Sequence, residues 1–259
     1  MTEESKDLLS IQNLKGVGPK SSSSLNNLGI FSIPDAAFHL PFRYEDRSFI
    51  TQIGDANYQT PVLIEGEIMK STVVFRGRRM LFSEIYDGTG KLTMRMFNFA
   101  MAQHKALEEG KMIRCFGTIT PGPNGKQMIH PQYQVFEKDD PIQIEDNLTP
   151  IYPTTSGLQQ NKLRKIIESC LDFCDKNDIF KEESKNKHYS VYGNLLETLK
   201  FLHKPPVEAN LNELIAGKHP AQQSLIKEEL VAHMLCAGIL KNELEGRTGP
   251  IMKKISDEE

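Results

Sequence analysis

The sequence predicts an α+β protein in which a five-stranded β-barrel lies between two helical regions. Apolar residues recur at helical spacing before residue 50 and again over most of residues 158–244. From Pro61 to Phe136 the period changes to two, which is typical of strands with one buried face. A short helical pattern at residues 100–109 follows the third predicted strand. That order of elements matches the OB-fold, a partly open five-stranded barrel.

The first predicted domain, residues 1–50, is a helical segment. Near its start, four apolar residues are spaced as on one face of a helix, namely Leu8, Leu9, Ile11 and Leu14. A tight turn over Gly16 and Gly18 follows, and two short helices are predicted at residues 21–28 and 34–40. Gly29 ends the first of these helices and Pro41 ends the second.

The second predicted domain, residues 51–146, contains the barrel. Its strands are predicted at residues 62–68, 80–86, 91–98, 111–120 and 127–136. The sequence Arg-Gly-Arg-Arg at residues 76–79 predicts a hairpin tip after the first strand, and Asp-Gly-Thr-Gly at residues 87–90 predicts a turn after the second. The third predicted domain, residues 147–259, starts as an extended linker because Pro150 and Pro153 disfavour helix in the residues before them. A helical linker region follows.

The net charge is −3, but its distribution along the chain is uneven. Between Lys70 and Lys126 there are ten basic and four acidic residues, whereas the rest of the chain has 21 basic and 30 acidic ones. A basic module inside acidic flanks indicates a polyanionic partner, above all nucleic acid.

The sequence lacks the signatures of several classes of protein. No apolar run is long enough to span a bilayer, and the acidic start of the chain is unlike a signal peptide, so a cytoplasmic protein without membrane contact is expected. The four cysteines do not have zinc-ligand spacing, so no metal site is predicted. The sequence has neither a G-x-x-x-x-G-K-[ST] phosphate loop nor a G-x-S-x-G elbow, and no catalytic residue is predicted.

The candidate nucleic-acid site lies on the barrel around the basic hairpin tip. OB-type barrels hold strands in a positive groove in which bases stack on aromatic side chains. The candidates for base stacking are Phe75, Phe97 and Phe99. The candidates for phosphate contacts are Arg76, Arg78, Arg79, Arg95 and Lys91. Strand alternation places Phe97 and Phe99 on the same side. An alternative interpretation places each of these aromatic residues in the core and treats the arginine tip as a solvated loop.

The glycine turn is a second candidate site. Glycines allow backbone N–H groups to converge on a phosphate, and the helix that follows presents its positive N-terminus. The residues predicted for this contact are Gly16, Gly18 and Lys20. The alternative is a turn that only packs two helices together.

Several sequence blocks resemble the RecG family of ATP-dependent DNA helicases. They include Leu-Lys-Gly-Val-Gly-Pro-Lys at residues 14–20, His-Leu-Pro-Phe-Arg-Tyr-Glu-Asp-Arg at 39–47, Phe-Asn-Phe at 97–99 and Pro-Ile-Tyr-Pro-Thr-Thr-Ser-Gly-Leu at 150–158. The blocks follow one order over about residues 10–235. The block at 42–47 also has a structural interpretation, as a connector held by Arg–carboxylate pairs.

The resemblance implies an OB-fold wedge that sits at a DNA branch point, followed by a linker that leads to motor domains beyond this chain. It implies binding to branched or single-stranded DNA during the remodelling of stalled replication forks and recombination intermediates. Nothing in the sequence suggests an obligate dimer, so a monomer is expected. ATP and Mg²⁺ are expected only for the motor domains, and no cofactor is expected in these residues. The family's stacking role falls on Phe97, with Phe99 as its neighbour. Where the family can offer a second aromatic residue on the next helix, this chain has Ala100, Met101 and Ala102.

Two other functions stay open at the level of the sequence. An OB-type barrel with an acidic helical region would also suit a module that binds protein without direct DNA contact. An enzyme such as a nuclease would need clustered carboxylates and a divalent metal, a pattern that the sequence does not contain.

Overall fold

The computed structural model describes residues 9–140, 143–180 and 192–245. The chain divides into two units, called here the helical unit and the sheet unit. The helical unit comprises Met1–Arg43, Pro150–Pro205 and Ala209–Glu259, and the sheet unit comprises Tyr44–Thr149 with Pro206–Glu208. The first and third predicted domains therefore fall largely within one unit, on either side of the second in sequence.

The described residues form seven α-helices, α1 Pro19–Asn26, α2 Ile33–Phe38, α3 Met101–Ala106, α4 Gln160–Lys176, α5 Leu195–His203, α6 Leu211–Ile215 and α7 Pro220–Glu245. They also form nine strands, β1 Arg43–Glu45, β2 Pro61–Arg76, β3 Arg78–Tyr86, β4 Lys91–Phe97, β5 Met112–Thr118, β6 Thr120–Gly122, β7 Gly125–Ile129, β8 Gln132–Phe136 and β9 Thr149–Ile151. The short strands β1 and β9 pair with each other, and the other seven form one sheet.

The start of the helical unit follows from its glycine and proline residues. Gly16 has a φ of 93°, which side chains other than glycine rarely adopt. Gly18 is the N-cap of α1, and Pro19 occupies the first turn, where its missing N–H costs nothing. The apolar stretch before this turn forms a 3₁₀ turn, Ile11–Asn13, instead of a longer helix, and Leu8 lies outside the described residues.

One core joins the two halves of the helical unit. Leu25 and Ile33, from the N-terminal helices, pack in the same cluster as Leu163 and Ile167 of α4. The buried residues of α4 recur every three or four positions, so one face of this helix enters the core. Cys170 lies on that face, and burial raises the pKa of its thiol to about 12.

The helix α7 differs from the others along its length. Its first turn is buried at Ala221, but the later apolar residues Leu230, Met234 and Leu235 are 57%, 73% and 63% exposed. Within the described parts of the chain, every helix is too short or too polar to span a bilayer.

The large sheet of the sheet unit has the strand order β6-β7-β4-β3-β2-β5-β8. Neighbouring strands are antiparallel except β4 and β7, which are parallel. The central strand β2 is 16 residues long and pairs with β5 in its first half and with β3 in its second. A register shift between Ile68 and Lys70 marks the irregularity where the strand changes partner.

The predicted set of five strands differs from the observed sheet in the number of strands and in the length of the first, since β2 continues to Arg76. The single strand predicted at residues 127–136 is divided into β7 and β8, because His130 has a φ of 48° and Pro131 cannot donate a ladder hydrogen bond. The short strand β6, Thr120–Gly122, lies largely in the interval between the strands predicted at residues 111–120 and 127–136. The ladder ends at β6 on one side and at β8 on the other, so the described strands form an open seven-stranded sheet.

The predicted hairpin tip is confirmed. Arg76 pairs with Arg78 across Gly77, which has a φ of 71°. The interpretation of residues 42–47 is also supported, because the Arg47 guanidinium donates to the Glu45 carboxylate at 2.6 Å.

Candidate nucleic-acid interface

The outer face of β3 and β4 carries aromatic and basic side chains next to each other. Cross-strand pairing sets Phe82 opposite Arg95 and Met80 opposite Phe97, so these four side chains share one face. The Arg95 guanidinium carbon lies 5.4 Å from the centroid of the Phe82 ring and 4.8 Å from that of the Phe97 ring. It therefore packs against two aromatic rings.

Phe97 is the residue at which these contacts meet. The guanidinium carbon of Arg78 lies 4.1 Å from its ring centroid, and the His130 ring lies 5.3 Å away. The His130 Nε2 accepts a hydrogen bond from the Phe97 N–H at 3.1 Å, so in the neutral ring the proton is on Nδ1. Phe97 is half-buried. The residues Arg78, Phe82, Arg95, Phe97 and His130 are called the Phe97 cluster below.

Phe99 is not on the same side as Phe97, contrary to the prediction from strand alternation. β4 ends at Phe97, and Asn98 has a φ of 50°, which turns the chain so that the Phe99 ring enters the core and is only 9% exposed. Arg79 lies over this ring, with its guanidinium carbon 4.6 Å from the centroid. Because the core covers most of its ring, Phe99 does not offer a face on which a base could stack.

The two consecutive arginines at the hairpin tip place their side chains on opposite faces of the hairpin. Arg78 packs on Phe97 and Arg79 on Phe99, as expected for neighbouring strand residues whose side chains point in opposite directions. Phe75 pairs with Arg79 across the hairpin and is 77% exposed, the largest value for a large apolar side chain in the described residues.

For two of the predicted phosphate contacts, Arg76 and Lys91, the structure gives no contact with the Phe97 cluster. The side chain of Arg76 is outside the described part of the structure, although its backbone belongs to β2. Lys91 is exposed at the start of β4, six residues before Phe97, which corresponds to roughly 20 Å of strand. The structure therefore does not bring Lys91 to the Phe97 cluster.

Arg78, Arg79 and Arg95 have no carboxylate within ion-pair distance among the described residues. Other arginines of the sheet unit are paired, since Arg114 contacts Glu65 at 2.6 Å. The Nε of Arg95 is buried and has no hydrogen-bond acceptor among the residues that the structure describes. Guanidinium groups without a carboxylate partner are suited to phosphate oxygens and to the faces of bases.

Sequence reasoning missed Phe82 and His130. Phe82 had a usable signal, because its place in the period-two pattern of β3 puts it on the face opposite Leu81, which is fully buried. His130 had none, since its position depends on a left-handed backbone conformation. Within residues 9–140, 143–180 and 192–245, no group of three His, Cys, Asp or Glu residues is placed to hold a metal ion.

The glycine turn belongs to the other unit. Gly16, Gly18 and Lys20 lie in the helical unit, all three exposed at the start of α1. The predicted site residues are thus divided between the helical unit and the sheet unit.

A family profile described as the RecG wedge domain matches residues 10–174. The chain belongs to this family. Among curated RecG proteins, the ATP-dependent DNA helicase RecG of Haemophilus influenzae is 40% identical over 238 residues, which is 91% of this chain and 34% of that protein. The protein of the same name from Escherichia coli strain K12 is 39% identical over 230 residues, or 88% of this chain and 33% of that protein.

Solved structures give a similar relation to RecG. A structure of RecG bound to a three-way DNA junction aligns with a TM-score of 0.61 and 25% identity, covering 80% of this chain and 28% of that one. The chain spans about a third of the length of the curated RecG relatives it matches.

Proposed function

We propose that this chain is the branched-DNA-binding wedge portion of an ATP-dependent DNA helicase that remodels stalled replication forks and recombination intermediates. The observation that carries the proposal is the Phe97 cluster, in which an aromatic ring has two guanidinium groups packed on it and neither has a carboxylate partner among the described residues. The choice of branched DNA as the ligand rests on the similarity to RecG helicases and to the structure of RecG bound to a three-way DNA junction.

The proposal includes an OB-type barrel. The halves of the predicted fifth strand support it, because β7 pairs with β4 and β8 pairs with β5 although only His130 and Pro131 separate them. A strand that bends in this way joins the two ends of a sheet, which is how a partly open barrel of this type closes.

In the proposed mechanism the hairpin tip and the Phe97 cluster divide the work. Arg78 and Arg79 hold phosphates, while the Phe97 ring and the Arg95 guanidinium packed on it receive an unpaired base at the branch point. Phe75, exposed beside the tip, offers a second ring. Strands then separate as duplex is drawn past this surface.

ATP and Mg²⁺ belong, in this proposal, to motor domains of the longer helicase. The residues of this chain do not fit them, because the sequence has no G-x-x-x-x-G-K-[ST] loop for the phosphates. No step of the proposed mechanism passes through either.

The test is binding of this chain to a three-way junction, a plain duplex and a single strand, measured by fluorescence anisotropy over a salt series. We expect the junction to bind most tightly. Replacing Arg78 and Arg79 by Gln is expected to reduce the slope of log K against log salt by roughly 1.4 to 1.8, the value for two lost phosphate contacts. The matched control, Lys176→Gln with Lys218→Gln, removes two exposed charges from the helical unit.

Equal affinity for all three DNAs would contradict the proposal. Junction binding that is indifferent to the arginine pair would favour the alternative, a module that binds a protein partner without touching DNA through this face.

A further inference from the structure

The outer face of the sheet unit continues beyond the Phe97 cluster to the far end of β3 and β4. Residues that stand opposite each other on these strands share a face, and every second pair points outward. From the cluster towards the turn at residues 87–90, the outward pairs are Phe82 with Arg95, Glu84 with Thr93, and Tyr86 with Lys91. All six are half-buried or exposed, whereas the residues between them are buried. The face therefore ends as it begins, with an aromatic ring beside a basic side chain.

The Tyr86 ring is accessible and is held in place. It is 40% exposed, and its hydroxyl donates to the Gly88 carbonyl oxygen at 3.2 Å, in the turn that joins β3 to β4. The turn itself is fixed by the Asp87 carboxylate, which accepts from the N–H groups of Thr89 and Gly90 at 2.8 and 3.0 Å. A ring restrained at both ends loses little conformational entropy when a base stacks on it.

Lys91 stands directly opposite Tyr86 and provides a positive charge beside the ring. In an antiparallel pair, the Cβ atoms of such residues are about 4.5–5.5 Å apart. Lys91 is exposed and takes part in none of the ion pairs formed between described residues. An exposed ammonium group next to an exposed aromatic ring suits one phosphate and one base of a single strand.

The acidic residues Glu84 and Glu67 lie on this part of the sheet, and each has a lysine beside it. Glu84 stands opposite Lys70 of β2, so two opposite charges face each other across the ladder. Glu67 pairs with Lys138 at 3.8 Å. The charges of Lys91 and of the arginines in the Phe97 cluster are therefore left to attract a polyanion.

The two ends of the face are separated by a length that suits several nucleotides. Phe97 lies six residues after Lys91 on β4, which corresponds to about 20 Å of strand. At the rise of roughly 3.4 Å per nucleotide of a stacked strand, this distance spans about six nucleotides. OB folds bind about 4–16 nucleotides of single strand, so one strand is long enough to occupy both ends.

We infer that Tyr86 and Lys91 form a second subsite for unpaired DNA, called here the Tyr86 subsite. A base stacks on the Tyr86 ring, Lys91 contacts a phosphate next to it, and the strand follows the outer face of β3 and β4 to the Phe97 cluster. The ligand is an unpaired strand, since stacking on a side chain requires a base with an exposed face. The origin of this strand at a branch point rests on the proposed function, whereas the subsite itself does not.

The test uses the intact chain and two three-way junctions that differ in the unpaired strand at the branch point, with about 2 nucleotides in one and about 10 in the other. Fluorescence anisotropy should show tighter binding of the second junction, because only its strand reaches the Tyr86 subsite. Tyr86→Ala is expected to weaken binding of this junction by about 5- to 150-fold, the value of one stacked base, and to leave the first junction unchanged. Tyr86→Phe, which keeps the ring, should retain most of the affinity.

Phe97→Ala is the comparison, because its ring lies at the branch point in both complexes. It should weaken binding of both junctions. The junction with the short unpaired strand also controls for folding, since a variant that fails to fold binds neither DNA. No effect of Tyr86→Ala on the junction with the long strand, or an equal effect on both junctions, would overturn the inference.

The phosphate contact of Lys91 is tested by the salt dependence of binding. Lys91→Gln should reduce the slope of log K against log salt by about 0.7 for the junction with the long strand, the value for one phosphate contact of a single strand. The slope for the other junction should not change. Lys176→Gln removes an exposed charge from the helical unit and is the matched control. An unchanged slope in Lys91→Gln would overturn the phosphate contact.

A free single strand of about 10 nucleotides separates this inference from the proposed function. If the chain shows no preference for junctions but Tyr86→Ala weakens binding of the single strand, the subsite stands and the wedge is rejected. If junctions are preferred and Tyr86→Ala weakens binding of neither the single strand nor the junction with the long strand, the wedge stands and the subsite is rejected.

Discussion

Phe97 is held by contacts that a core residue would not need. The two guanidinium groups packed on its ring bring positive charge to a half-buried aromatic surface, and the His130 ring supports it from a separate strand connection. A phenylalanine that only filled space would be covered by aliphatic groups without net charge. The arrangement fits a surface that receives a stacked base beside its phosphate.

Phe97→Ala is expected to weaken junction binding by about 5- to 150-fold, because stacking of one base is worth roughly 1–3 kcal/mol. Phe97→Tyr should retain most of the affinity, since it keeps the aromatic ring. Anisotropy with the three-way junction measures both variants. Phe31→Ala, which removes a ring that is 61% exposed in the helical unit, is the control. A loss in Phe31→Ala as large as in Phe97→Ala would mean that exposed aromatic area in general, not this ring, binds DNA.

His203 makes a separate prediction about stability. Its Nε2 donates to the Ala37 carbonyl oxygen at 2.8 Å, so the neutral ring accepts at Nδ1 from the Tyr152 hydroxyl, also at 2.8 Å. Burial lowers the pKa of His203 from 6.5 to about 4. Between these values the unfolded chain binds a proton that the folded chain does not, so stability falls as the pH drops.

From this one residue the free energy of unfolding is expected to decrease by about 2 kcal/mol between pH 7 and pH 5. Urea denaturation at the two pH values measures the decrease, and His203→Phe should remove this part of it. His233→Gln, at an exposed position, should leave the profile unchanged. An unchanged pH dependence in His203→Phe would show that another group is responsible.

At the residue scale, the sequence predicted the chemical type of the site residues better than the direction in which their side chains point. The arginine tip and Phe97 were found from residue types and a period of two, and both lie on the candidate interface. Phe99 was placed on the wrong side because one left-handed residue, Asn98, inverts the alternation. Asparagine adopts that conformation more readily than most residues, but its occurrence does not require it.

At the scale of elements, local patterns located the strands and missed their pairing. The bend at His130 and Pro131 separates two strands that belong to distant parts of the sheet order, and a period of two runs through both. The length of β2 was also hidden, because its second half is a hairpin arm with few buried residues and so lacks a clear apolar alternation.

The helix α7 allows a prediction at this scale. Replacing Met234, Leu235 and Leu240 together by Gln is expected to change the free energy of unfolding by less than about 0.5 kcal/mol per substitution, since these side chains are 59–73% exposed. Urea denaturation tests this, with Leu225→Gln, which is packed against the core, as the destabilising comparison. A large loss of stability in the triple variant would mean that α7 is covered in solution, and the prediction of a monomer would then be wrong.

At the scale of the whole molecule, the two cores are built in different ways. The helical unit draws its core from residues 11–37 and from residues 152–199, so it exists only when distant segments meet. Nothing in a local pattern encodes that meeting, which is why residues 1–50 and 147–259 were predicted as separate domains. The sheet unit draws its buried core from residues 53–128, one continuous stretch.

The continuity of the sheet unit predicts that residues 44–149 fold without the rest of the chain. The segment contains every strand of the large sheet and all 16 buried residues of its core, and many domains shorter than this fold alone. We expect one cooperative transition in urea, lowered by Ile64→Ala by about 2–5 kcal/mol because Ile64 is fully buried. Junction binding should persist and remain sensitive to Phe97→Ala, since the Phe97 cluster lies within the segment. A segment that folds cooperatively and yet binds no junction would place the DNA contacts in the helical unit.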